Sequence, residues 1–281
     1  MFGLLKRKKG KRRKGGKKAL APVVSRYVDM WAFLRMHPTN VDLLQRLKSA
    51  DDLQFGANMD VCGTVSSKDP KGGGWDKTHM VGIRSDAWNS DAQRRLVLKL
   101  FKTTGEQLRW VGTVEEITTR EIHNSIGSQQ AMLTLAAILP DYEFLVNVQQ
   151  NHRTFRIPSI FTFCFHDEDE NRAWYLDIKR KWVSVGADFV VESGGRKIAE
   201  IDGKLIGFGY NAYVHVHEPT LADNRRFVDL LTLFAASVGY HRAMRRSVRQ
   251  RVRAIQSGQP LAHVVEDEES CLLKNPRRRA A

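Results

Sequence analysis

Two histidines, His215 and His217, come nearest to a metal site in this chain, because an i, i+2 pair in extended backbone points both imidazoles to one face. The spacing Gly209-x5-His215-x-His217 opens like a two-histidine metal motif, but the segment where a glutamate ligand should follow reads Glu218-Pro219-Thr220-Leu221-Ala222. The motif fails at its third ligand, so no bound metal and no cofactor is expected, and the pair reads as ordinary surface histidines. If a metal were held, its remaining ligand would have to come from elsewhere in the fold. The run His166-Asp167-Glu168-Asp169-Glu170-Asn171 concentrates carboxylates as a hard cation would need. It lacks the central glycine and distal glutamate of a calcium loop, and is read as a solvated hairpin tip, free to pair transiently with basic segments. Gly72-Gly73-Gly74 has no P-loop spacing, and no Ser-His-Asp or Cys-His arrangement stands out. The three cysteines, Cys62, Cys164 and Cys271, have neither metal spacing nor an even count, which points to a reducing compartment. None of these groups calls for catalysis, and the protein is expected not to be an enzyme.

Cations offer the stronger chemistry. Of the formal charge of +14, ten positive charges sit in the acid-free leader Met1–Lys18, which leaves +4 for the rest. That leader joins a small apolar tip, Phe2, Leu4 and Leu5, to Lys6, Arg7, Lys8, Lys9, Lys11, Arg12, Arg13, Lys14, Lys17 and Lys18. The apolar part is too short and stands on the wrong side of the charges for a secretory signal, and Phe at position 2 excludes N-myristoylation. Like charges and glycines predict a disordered tail. Near an anionic leaflet each basic residue contributes about 1 kcal/mol. Phosphates of RNA or DNA would be neutralised equally well, and a merely solubilising tail fits too. A second basic stripe lies near the C-terminus, where Arg242, Arg245, Arg246, Arg249 and Arg253 fall along one helix face, with Lys179, Arg180 and Lys181 as a third cluster.

These side chains must be positioned by a meander. Alternating runs over 155–165, 174–185, 188–192, 197–201, 205–210 and 212–217 read as strands, with hairpin turns at Gly194-Gly195 and Asp202-Gly203. An apolar helix over 227–240 follows, carrying Phe227, Leu230, Leu231, Phe234 and Val238 and apolar around most of its circumference. It predicts protein on several sides and is too short for the roughly 20 residues of a bilayer span. Earlier, residues 22–36 and 41–49 read as a helical pair, broken at His37-Pro38, of the kind seen in packing units and, more rarely, in DNA readers. Strands are expected over 55–65, 108–117 and 142–148. Helices are expected from the capping pattern Ser90-Asp91-Ala92-Gln93 through Phe101, and over 119–139 with a break near Gly127. The expected architecture is α+β: a basic tail over 1–21, one domain over 22–256 with the helical pair at 22–50, and a disordered tail over 257–281. About ten strands are enough to approach a closed barrel.

Ile178-Lys179-Arg180-Lys181-Trp182-Val183-Ser184-Val185-Gly186-Ala187-Asp188-Phe189-Val190-Val191-Glu192, then Gly195-Arg196-Lys197-Ile198-Ala199-Glu200-Ile201 and Lys204-Leu205-Ile206-Gly207-Phe208-Gly209-Tyr210, resembles the repeated unit of LURP-one-related proteins. Those belong to the Tubby C-terminal and phospholipid-scramblase superfamily. The resemblance covers about a third of the chain, and it implies a closed antiparallel barrel threaded by the apolar helix. It also implies a non-enzymatic module, cytoplasmic and peripheral at the inner membrane surface, that binds anionic phospholipid or a protein partner. Two other functions remain open. One is a nucleic-acid-associated protein using the leader and the arginine helix, and the other is a metal-dependent enzyme at His215 and His217.

Overall fold

The computed structural model describes residues 21–31, 54–55, 58–69, 73–90, 94–104, 107–128, 130–151, 159–182, 186–204 and 209–259. Twelve strands run in chain order: β1 Val24–Trp31, β2 Met59–Lys68, β3 Trp75–Arg84, β4 Val97–Thr104, β5 Gln107–Glu116, β6 Thr134–Ile138, β7 Val146–Gln150, β8 Ile160–Asp167, β9 Arg172–Arg180, β10 Phe189–Ser193, β11 Arg196–Lys204 and β12 Gly209–Val216. Each pairs antiparallel with its sequence neighbours, and β1 pairs with β12 from Val24 opposite Val216 to Trp31 opposite Gly209. That last pairing closes the sheet into a barrel and removes both edges. Five helices are present among the described residues: α1 Ser85–Trp88, α2 Thr118–Ser128, α3 Pro219–Asp223, α4 Arg225–Val238 and α5 His241–Gln256.

The apolar helix is the axis of this arrangement. Every residue of α4 from Phe227 to Val238 is buried. It packs on β1, β4, β5 and β12, while its rings reach the opposite wall, Phe227 against Phe165 of β8 and Phe234 against Phe161 of β8 and Phe189 of β10. A helix that is apolar all round is satisfied only by such enclosure. Asn224 starts it, its side chain accepting the Phe227 N–H at 3.2 Å and donating to buried Asp167 at 3.0 Å. A buried ion pair lies within the barrel, where Asp229 of α4 faces Arg26 of β1 at 2.5 Å. Thr232 also accepts from Arg26, at 3.1 Å.

Several expectations need correction. Residues 22–36 are not helical where described, since Val24–Trp31 is β1. Its inward positions include Arg26, whose partner Asp229 comes from the distant α4. That buried arginine masks the alternation, while outward Tyr27 and Trp31 supply an apparent helical spacing. The second helix of the expected pair, at 41–49, lies outside the described residues. The expected helix through Phe101 is replaced by β4. Leu98 and Leu100 join the barrel interior, whereas Phe101 packs outside with Met59, Trp110 and Ile138. A strand apolar on both faces loses its period of two, so its pattern resembles a buried helix. The helix expected over 119–139 is α2 only as far as Ser128, after which the fully buried Thr134–Ile138 is β6.

The Gly194-Gly195 turn has φ of 56° and 77°, as a two-residue hairpin of mirror type requires. Asp202-Gly203, expected as a second such turn, instead lies within β11, opposite Tyr213 and Ala212. The glycine there serves close approach: a Cβ on Gly203 would lie 2.8 Å from the Ala187 nitrogen, and its own N–H donates to Asp188 at 2.9 Å. Among the described residues no helix is long and apolar enough to cross a membrane.

Candidate anion-binding cavity

Helix α5 lies across one end of the barrel, the end at which β9 finishes and β10 begins. Its sequence, HRAMRRSVRQRVRAIQ, carries six arginines and no acid. Apolar Met244 and Val248 are buried beneath it, and two arginines fix it to the wall on opposite sides. Arg251 donates to Glu116 at the end of β5 at 3.3 Å, and to the Arg94 carbonyl. Arg245 donates to Ser159 before β8 at 3.1 Å, with a longer approach of 3.4 Å to Gln150 of β7.

Between α5 and the barrel rim is a cavity of about 530 Å³, lined by Arg180, Arg242, Arg245, Arg246, Arg249 and His241 over a floor of Phe189, Val238 and Ala187, with Ser159 at one side. The helical spacing i, i+3, i+4, i+7 turns the four α5 arginines to one face. Arg180 reaches the same space from β9. Among the described residues no carboxylate lines the cavity, and none of these five guanidiniums has an ion-pair partner.

The titratable groups register this field. Burial lowers Arg245 from the usual guanidinium value to about 10, and the charges of Arg180 and Arg249 act in the same direction. His241 is held well below the ordinary imidazole value by burial first and then by Arg245 and Arg180, so it is neutral near pH 7. Its ring packs on Phe161 and Phe234, and its Nε2 lies 3.3 Å from the Ser237 hydroxyl. Uncompensated guanidiniums over an apolar floor form a site for an anion: each offers a planar fork of N–H donors to phosphate or carboxylate oxygens. The volume is within the roughly 300–1,000 Å³ of small-molecule sites.

The structure therefore brings Arg180, Arg242, Arg245, Arg246 and Arg249 together and separates the other expected cations from them. Lys179 is engaged by Glu192 at 2.8 Å and Asp177 at 3.5 Å, Lys181 lies 3.7 Å from Glu200, and Arg253 is exposed on α5 without lining the cavity. The leader residues Phe2, Leu4, Leu5 and Lys6 through Lys18 lie outside the described residues. His241, Ser159 and Gln150 were not apparent from the sequence. The one signal for His241 was its place at the junction between an apolar helix and an acid-free arginine helix.

His215 and His217 share one side of the sheet but are engaged separately. His215 Nδ1 lies 2.8 Å from the Ser25 hydroxyl, and buried His217 sits 3.6 Å from Glu200. Burial raises Glu200, but Lys197, Lys181 and His217 outweigh it and leave the carboxyl below its usual value. Among the described residues no group of three His, Cys, Asp or Glu side chains is placed to hold a metal ion. The acidic run is solvated only in part. Asp169 and Glu170 are exposed, whereas Asp167 is buried on Asn224 and Glu168 pairs with Arg226 at 2.7 Å.

These features define a class: an up-and-down antiparallel barrel of twelve strands, closed around a buried helix and carrying an arginine-lined cavity at one end. Beyond that class, no protein family, curated protein or solved structure matches the chain.

Proposed function

We propose that the protein is a non-enzymatic binding module of the LURP-one-related and Tubby C-terminal kind, peripheral to a membrane on its cytoplasmic side. The barrel holds an anionic group in the arginine cavity, and the basic leader draws the protein to anionic phospholipid. The observation that carries this reading is the convergence of five guanidiniums on one cavity that, among the described residues, has no carboxylate in its lining. Like charges gathered this closely repel one another, and an anion relieves that repulsion. Trp182, two residues beyond Arg180, leaves 73% of its surface exposed, and an exposed tryptophan beside cations suits the headgroup layer of a bilayer. The closed barrel with its enclosed helix is also the architecture that the resemblance calls for.

Sedimentation with vesicles tests the proposal. The full chain is expected to pellet with anionic and not with neutral phospholipid, and less so as salt rises. Deleting residues 1–18, or replacing Arg180→Gln together with Arg246→Gln, is expected to weaken that binding. Equal sedimentation with neutral vesicles, or tighter retention of RNA or DNA than of anionic vesicles at matched salt, would overturn it.

A further inference from the structure

The cavity's charge count says more about its ligand than its sign alone. Five guanidiniums line it, and the other titratable lining group among the described residues, His241, is already neutral. Arg245 is the deepest of the five. It is half-buried, with Ser159 as its nearest polar partner, and the charge of Glu121 of α2 acts on it against the effect of its arginine neighbours. Glu121 is itself buried, accepts the Thr134 N–H at 3.0 Å, and has its carboxyl pushed up by burial and by Glu116. A phosphodiester brings one negative charge and two oxygens free to accept. A phosphomonoester or pyrophosphate brings about two or more charges and three or more such oxygens. Each further charge relieves repulsion among all five guanidiniums at once, an effect strongest at half-buried Arg245 and more screened at the four exposed arginines. The geometry also suits several oxygens, since Arg180 approaches from the rim opposite the α5 face and the helix supplies donors along two turns.

We infer that the cavity selects compact ligands with two or more negative charges on adjacent oxygens, a phosphomonoester or pyrophosphate group, over singly charged phosphodiesters. This rests on the reading of the cavity as an anion site, and it specifies the ligand chemistry. The group could be carried by a soluble metabolite or by a lipid whose headgroup ends in a phosphate. The apolar floor of Phe189, Val238 and Ala187 accommodates the carbon part of either.

Isothermal titration of the full chain at constant ionic strength distinguishes the cases, using inorganic pyrophosphate, methyl phosphate and dimethyl phosphate as probes. Pyrophosphate and methyl phosphate are expected to bind at least about tenfold more tightly than dimethyl phosphate. Arg180→Gln with Arg246→Gln, both at exposed positions and so tolerated by the fold, is expected to remove that preference. Equal affinity for methyl and dimethyl phosphate overturns the inference, as does a preference unchanged in the double variant. Competition separates the two sources. Vesicles with phosphatidic acid that are displaced by pyrophosphate, when vesicles of matched charge with phosphatidylglycerol bind less, identify a lipid source. Pyrophosphate binding without any vesicle preference identifies a soluble one. If anionic vesicles bind through the arginines but pyrophosphate does not compete, only the inference fails. If neither binds, the anion-site reading fails with it.

Discussion

Replacing Phe234 with alanine tests whether the barrel encloses α4. Phe234 is 2% exposed, and its ring makes edge contacts with Phe161 at 5.2 Å and Phe189 at 5.7 Å and meets His241 at 5.8 Å. Truncating a core phenylalanine costs about 3–5 kcal/mol, and aromatic pairs of this geometry add about 0.5–1.5 kcal/mol beyond their buried area. A closed wall hydrogen-bonded on every strand cannot collapse inward to fill the void, so the loss belongs at the upper end, about 4–5 kcal/mol. At about 2–4 °C per kcal/mol for a domain of this size, the melting temperature should fall by roughly 8–20 °C. Urea unfolding followed by tryptophan fluorescence gives the number, with Tyr175→Ala as control. Tyr175 is 67% exposed and should change stability by no more than about 0.5 kcal/mol. A loss below about 1 kcal/mol for Phe234→Ala would refute the enclosure, because a side chain that costs so little to remove is not packed on all sides.

Arg251→Met leaves Glu116, fully buried on the Leu96 N–H, without its cation. It should cost about 3–5 kcal/mol, with much of the loss recovered in the double variant with Glu116→Gln; urea midpoints of the three chains check this. Glu121 gives a pH signature. Its carboxyl is raised in the folded state by burial and by Glu116, so the fold binds more protons than the unfolded chain. Its stabilising contribution is complete below the unfolded carboxyl value of about 4.3 and is lost as pH rises through the folded value. Glu121→Gln should therefore flatten a decline of stability with pH, and an unchanged slope would remove Glu121 as its source. His241 works in the opposite sense, being depressed in the fold. Stability should fall as pH drops below about 6.5, and His241→Asn should remove that part of the acid loss in melting curves taken from pH 5 to 8.

What the sequence made legible followed from how locally each feature is determined. The Gly194-Gly195 hairpin and the apolar helix rest on short-range turn chemistry and periodicity, and they are where the residues place them, whereas β9 ends at Arg180, short of the expected 185, and β11 runs on through the expected Asp202-Gly203 turn. β1 and β4 were misread because their environment is set by partners far along the chain. Arg26 is tolerated inside the barrel only because Asp229 comes to meet it, some two hundred positions away. Phe101 is apolar on the outside only because Met59 and Trp110 cover it. The cavity was half visible. Helical spacing put Arg242, Arg245, Arg246 and Arg249 on one face, but only the closure of the barrel brings that face to Arg180 and parts it from Lys179 and Lys181. His241 could not be singled out, since its significance lies in being buried under charges contributed by two separate elements.

The most direct test of the central claim is to locate an anion in the cavity. Crystals of the full chain soaked in tungstate should show one dominant anomalous peak within hydrogen-bonding distance of the Arg180, Arg245 and Arg249 guanidiniums, and Arg180→Gln with Arg246→Gln should abolish it. Tungstate scattered over other basic side chains, with nothing between α5 and the rim at Arg180, would contradict it.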